Sequence, residues 1–176
     1  MSATLHADSL TIVDEPNWPL SLPIKCQTLL ASSWSHDIRV ATRGYIPRMR
    51  SYRGHIAKCY PKTRVQWLRQ VHGNKVVDAA STHHFPEADG SYSCHPGYAC
   101  SVLTADCLPL VLVSSEPRWV AVLHAGWRGI YADIISEAIK QYPGEHGNLW
   151  AWIGPHICPT CYQVNDDFQR NFTRKC

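Results

Sequence analysis

Three short segments carry side chains able to do chemistry, and each sits at a strand end or in a glycine-flanked turn. They are Gln70-Val-His72-Gly, Thr104-Ala-Asp106-Cys107-Leu-Pro and His124-Ala-Gly-Trp-Arg128-Gly129. Strand ends suit binding groups, because a rigid sheet positions them while the following loop leaves them accessible. The two imidazoles of His72 and His124 with the thiolate of Cys107 suit a zinc ion, with copper as the competitor. Three protein ligands leave a fourth position for water or substrate, the arrangement of a catalytic site. Spacing alone leaves two alternatives open. With ten His and eight Cys, some grouping arises by chance, and a Cys-His pair is reactive without metal.

The His124–Gly129 segment has a second physical meaning. It turns from a buried strand into a helix, where free backbone N–H groups could hold an anion and Arg128 could add a charged fork. The alternative is that Gly126 and Gly129 only permit a tight turn while Arg128 is a solvated charge. Asp106 could accept a hydrogen bond from a substrate hydroxyl or amine, or orient a ligand; equally, it could cap a turn. Cys158-Pro-Thr-Cys161 lacks the second pair of a zinc ribbon and is read as a structural loop. His83-His84 and Cys94/His95 are assigned to a polar, solvent-facing connection, and Cys176 is terminal.

These residues need elements to position them. Strands are expected at Ile24–Leu30, Val65–Val71, Lys75–Ala79, Tyr98–Leu103, Leu110–Val113, Trp119–Leu123 and Trp150–Ile153, with His72-Gly73-Asn74 as a turn. Ile130, Ile134, Ile135, Ala138 and Ile139 recur at helical spacing, so one amphipathic helix is expected over 129–141, ended by Pro143-Gly144. Residues 1–30 otherwise read as irregular, and 31–60 show no clear period. Strands interleaved with helix give an α/β (α+β) class: a single-domain layered sandwich of mixed β-sheets with flanking helices.

The chain has 176 residues, enough for one domain. A formal net charge of +3 with no repeated basic cluster argues against nucleic acid as a partner. No apolar run is long enough to cross a bilayer. The acidic, signal-poor N-terminus points to a cytoplasmic protein, where thiols are reduced, buried or metal-bound. Seven Trp and eight Tyr indicate a core or cleft rich in rings, mostly by packing.

At the same three segments the chain closely resembles the family variously named laccase-domain or polyphenol oxidase proteins, peptidoglycan editing factors and purine nucleoside phosphorylases. The matching stretches are QVHGNKVV (70–77), VLTADCLPLVL (102–112), VAVLHAGWRG (120–129) and IGPHICPTCYQV (153–164), in order across roughly 64–165. The resemblance implies a single α/β domain with sheets packed between helices, and His72, Cys107 and His124 as metal ligands. It further implies a metal-dependent phosphorylase of adenosine, inosine and methylthioadenosine, with some adenosine deamination. Purine nucleoside and phosphate are the implied partners, Zn2+ the implied cofactor and Cu2+ its rival. On this basis Cys107 and Asp106 are assigned catalytic roles, and Gln70 and Arg128 substrate binding.

The chain also departs from the family. The glycine-rich TTRxGG-type and Asn-Leu-Gly segments expected before the first motif are represented only by Ala41-Thr-Arg-Gly44, and the family's Arg-rich continuation after the fourth is not present before Cys176. The expectation is one laccase-like domain over 1–176, incomplete at its C-terminus through a degenerate, frameshifted or truncated gene. Two other functions follow from the same residues: a copper phenol oxidase, and a low-activity remnant that binds a ligand or partner. A multicopper centre is disfavoured, since the sequence has no His-x-His pair.

Overall fold

A computed structural model of the chain describes residues 10–14, 28–31, 53–54, 56–58, 60–82 and 85–176. The frame of the molecule is a five-stranded sheet built from β4 (Val76–Asp78), β5 (Gly90–Ser93), β7 (Leu108–Ser115), β8 (Arg118–Ala125) and β9 (Trp150–Ile153). Their order is β4-β5-β8-β7-β9. β4 and β5 run parallel and the remaining pairs antiparallel. Two small sheets accompany it: β1 (Leu10–Asp14) antiparallel to β2 (Thr28–Ala31), and β3 (Arg64–Gln66) parallel to β6 (Tyr98–Cys100).

β7 and β8 form the central hairpin, in register from Leu108↔Ala125 to Ser115↔Arg118. The sequence Leu108-Pro-Leu-Val-Leu-Val is apolar on both faces, as expected of a strand with no face to water, and Pro109 through Ser114 are all buried. Leu110, Leu112, Trp119, Ala121, Leu123 and Ala125 meet Ile134, Ala138 and Tyr142 in one core cluster. Full burial of an aliphatic side chain such as Leu123 or Ile134 contributes about 1.5–3 kcal/mol. This core fixes the C-terminal end of β8, where His124 lies.

The mixed α/β class is borne out, while several boundaries differ from expectation. Val65–Val71 is a strand only over β3, followed by an isolated bridge from Arg69 to Glu87. β2 overlaps the later part of Ile24–Leu30; residues 24–27 and most of 31–60 lie outside the described residues. Instead of one helix over 129–141 there are two, α1 (Trp127–Tyr131) and α2 (Ile134–Ile139). Between them Asp133 is left-handed at φ 64°, and the Ala132 carbonyl accepts a hydrogen bond from Asn74 Nδ2 at 2.7 Å. Apolar spacing cannot reveal that break, because the partner lies 58 residues away.

Besides β1 (Leu10–Asp14), a strand where residues 1–30 read as irregular, a strand and an α-helix beyond residue 60 had no counterpart in the sequence reading. β5 (Gly-Ser-Tyr-Ser) lies within the stretch assigned to a polar connection, yet Gly90, Ser91 and Ser93 are buried. A Cβ at Gly90 would stand 2.5 Å from Leu123 Cδ2 and 3.1 Å from Val76 Cγ2, so a side chain there would force these core residues of β8 and β4 to shift. α3 (Asp166–Lys175) is the second. Asn165 Oδ1 accepts from Phe168 N at 2.8 Å, and acidic residues open the helix while basic ones close it, matching its dipole.

Candidate metal centre

The three motif residues converge. The ligand atoms of His72, Cys107 and His124 all lie within 4.8 Å of one another. His124 enters from the end of β8, Cys107 from the residue before β7, and His72 from the turn after β3. The hairpin register sets Leu108 opposite Ala125 and Pro109 opposite His124, which brings the second and third motifs together. The two imidazoles meet edge-on, with centroids 4.6 Å apart.

The residue that organises this group is Asp89, which sequence reasoning missed. Its side chain is fully buried, beside His124 at 4% exposure. Oδ1 accepts from His72 N at 2.8 Å and lies 2.9 Å from His124 Nδ1. Oδ2 accepts from Val71 N at 3.1 Å and Gly73 N at 2.7 Å. One carboxylate therefore folds the first motif around itself and orients the imidazole of the third. Holding Nδ1 directs Nε2 of His124 outward as the free ligand atom, the usual device for a metal-bound histidine. Burial raises the Asp89 pKa, but the bonds from His124, Gly73, Val71 and His72 outweigh it and leave the net shift downward.

His72 itself is left-handed at φ 60°. That conformation costs a residue with a Cβ about 1–2 kcal/mol, and the Asp89 bonds to three consecutive N–H groups hold it. Backbone strain of this kind concentrates at functional sites. Gly126 has a spatial reason for being glycine. A Cβ there would lie 3.0 Å from Cys107 Sγ and 3.3 Å from His72 Cδ2, inside the space between the ligands. A Cβ at Gly129 would lie 2.9 Å from the Gly73 carbonyl, so α1 packs closely on the His72 turn.

Gln70 has both ends of its amide engaged with one residue: Nε2 donates to Leu103 O and Oε1 accepts from Leu103 N, each at 2.8 Å. It braces the chain just before the Thr104–Cys107 loop. Asp106 is exposed beside Cys107. The Cys107 thiol is pushed up by burial, then by the charge and hydrogen bond of Asp106 and the charge of Asp89. Arg128 is exposed, with its guanidinium 4.5 Å from the Trp127 ring centroid. Trp127 in turn meets Phe168 of α3 edge-on at 5.0 Å. His95 is exposed as expected, Cys94 is half-buried, and His83-His84 lie outside the described residues.

Two nitrogens and one sulfur suit a divalent metal by donor chemistry, and the Asp89–His124 pair and the Gly126 cradle suit it by form. The fold and site thus define a class: a mixed α/β protein with a carboxylate-oriented His-Cys-His centre.

Within that class the chain belongs to the multi-copper polyphenol oxidoreductase laccase family, whose model matches residues 48–176. Among curated relatives, the purine nucleoside phosphorylase YfiH of Escherichia coli is 38% identical over 107 residues, 60% of this chain and 44% of that protein. The purine nucleoside phosphorylase PA4543 of Pseudomonas aeruginosa is 38% identical over 109 residues, 62% of this chain and 45% of that one. The chain thus spans less than half the length of these relatives. The crystal structure of NMB0706 from Neisseria meningitidis is similar with a TM-score of 0.66 at 31% identity, over 71% of this chain and 52% of that one. YlmD from Geobacillus stearothermophilus gives 0.55 at 27% identity, over 64% and 47% respectively. No helix among the described residues is long and apolar enough to cross a membrane.

Proposed function

We propose that this chain carries the metal centre of a purine nucleoside phosphorylase acting on adenosine, inosine and methylthioadenosine, with adenosine deamination as a lesser activity. The observation that carries the proposal is the convergence of His72, Cys107 and His124 on one point, with Asp89 fixing the ring of His124. The similarity to purine nucleoside phosphorylases of Escherichia coli and Pseudomonas aeruginosa supports the substrate class.

His72, Cys107 and His124 would hold the ion, zinc in the first instance. When bound, it supplies a Lewis acid with an open coordination position. In phosphorolysis a phosphate oxygen forms a bond to the ribose C1′, the C1′–N9 bond breaks, and the purine leaves with a proton. Arg128, exposed one turn beyond His124, offers a guanidinium fork to the phosphate. Asp106 accepts a hydrogen bond from a substrate hydroxyl or amine beside the centre. Gln70 serves binding through the loop it braces, since its amide already holds Leu103.

Copper in place of zinc at the same three ligands is the second reading, favoured by the affinity of copper for nitrogen and sulfur donors. Elemental analysis of protein purified without added metal separates the two. Metal-loaded protein incubated with inosine and phosphate is expected to release hypoxanthine; no release removes phosphorolysis.

A further inference from the structure

A second concentration of sulfur lies apart from the metal centre. Cys158 and Cys161 have Sγ atoms 2.9 Å apart, and both residues are exposed. A turn already joins them: Cys161 N and Tyr162 N donate to the Cys158 carbonyl at 3.0 and 3.2 Å. Thr160 Oγ1 lies 3.1 Å from Cys158 Sγ. Neither sulfur belongs to the His72 group. Bringing the two to a covalent separation of about 2.05 Å takes less than about 1 Å of side-chain motion.

We propose that Cys158 and Cys161 form a thiol–disulfide exchange site, Cys158 attacking and Cys161 resolving, with a small-molecule disulfide of the glutathione class as co-reactant. The Cys158 thiolate attacks one sulfur of that disulfide. A mixed disulfide forms on Cys158, and the other half leaves as a thiolate that takes up a proton. Cys161, losing its proton, then attacks Cys158 Sγ; the Cys158–Cys161 bond forms and the second half leaves as a thiol. Two protein thiols are oxidised by two electrons, and the external disulfide is reduced to two thiols.

The local chemistry favours this direction. The hydrogen bond shared with Cys161 Sγ, then the one shared with Thr160, brings the Cys158 pKa down to about 7. About half of Cys158 is then thiolate at neutral pH, against a few per cent for an ordinary cysteine. Burial pushes Cys94 and Cys100 the other way, Cys100 to about 12. An exposed, thiolate-rich cysteine beside a resolving partner is the arrangement that exchange requires.

The test uses the full chain in oxidised and reduced glutathione mixtures, quenched by alkylation and mapped by peptide mass. In the unaltered chain, the peptide holding both cysteines should lose two hydrogens reversibly. Cys161→Ser should stall as a glutathione adduct on Cys158, while Cys158→Ser accumulates several-fold less adduct. Both side chains are exposed, so the variants keep the fold, which circular dichroism checks. The alkylation rate of Cys158 should titrate with a midpoint near pH 7 and move upward in Cys161→Ser. Equal adduct on the two variants, absence of the intramolecular disulfide at every glutathione ratio, or a midpoint in the ordinary thiol range of about 8–9 would overturn the proposal.

Discussion

Cys107 and Cys158 are the same residue type set in two opposite environments, and a single hydrogen bond from Ile157 N to the Asp106 carbonyl, 3.0 Å long, links their loops. Around Cys107, partial burial and two carboxylates disfavour the free thiolate. Around Cys158, an exposed turn with a second thiol and a hydroxyl favours it. Where anions and burial surround a thiol, a cation is the natural partner; where donors in water surround it, free sulfur chemistry follows. The two regions also differ in how firmly they are held. Asp89 ties His72 and His124 together through four bonds deep in the fold, whereas the Cys158 turn rests on local ones.

The sharpest way to break this contrast is at Asp89. Asp89→Ala leaves the N–H groups of Val71, His72 and Gly73 and the buried His124 ring without their carboxylate partner. It should cost about 3–5 kcal/mol in urea unfolding, while glutathione exchange at Cys158 in the folded fraction is unchanged. Asp89→Asn retains much of the shape, and titration with zinc should show a roughly 10–100-fold loss of affinity, the usual cost of losing a carboxylate that orients a ligand histidine.

Gly126→Ala is expected to be milder. The added methyl meets Cys107 Sγ and His72 Cδ2, so zinc binding should weaken about tenfold, with about 1–2 kcal/mol of overpacking in thermal unfolding. An unaltered affinity would show that the ligands do not depend on that cradle.

Acid stability supplies a further test. The Asp89 pKa is lower in the folded chain than its ordinary value of 3.8, so its contribution is fully present above about pH 4. That contribution disappears as pH falls from there through the lower folded value. Unfolding free energy measured down that range should fall more steeply in the unaltered chain than in Asp89→Asn. The smallest effect belongs to Arg128→Ala. Stability should change by no more than about 0.5 kcal/mol, because the side chain is exposed, while the KM for phosphate rises severalfold. An unchanged KM would remove Arg128 from phosphate binding.

The sequence made His72, Cys107 and His124 readable because each lies in a short motif at the end of an apolar strand. β7, β8 and β9 were readable for the same reason, their runs being apolar without interruption. Asp89 was hidden by the same kind of logic. It opens a polar strand, Gly-Ser-Tyr-Ser, whose burial comes from neighbours rather than from its own side chains. Its partner His124 is 35 residues away, and local composition carries no record of that pairing. The break at Ala132-Asp133 was illegible for a similar reason, since Asn74 reaches it across the fold. α3 did leave signals, an Asn-Asp-Asp start and Phe168 four residues before Phe172. Those two rings pack on Trp127 and Tyr131 of α1, a contact that local spacing does not disclose.

X-ray absorption at the zinc edge on the zinc-loaded full chain reads the ligands of the centre itself. Expected are one sulfur at about 2.3 Å and two imidazole nitrogens at about 2.0–2.1 Å, with a light atom completing the shell, and loss of the sulfur in Cys107→Ser. A shell with two sulfurs, or one unchanged by Cys107→Ser, would place the ion at Cys158 and Cys161 instead and contradict the assignment of His72, Cys107 and His124.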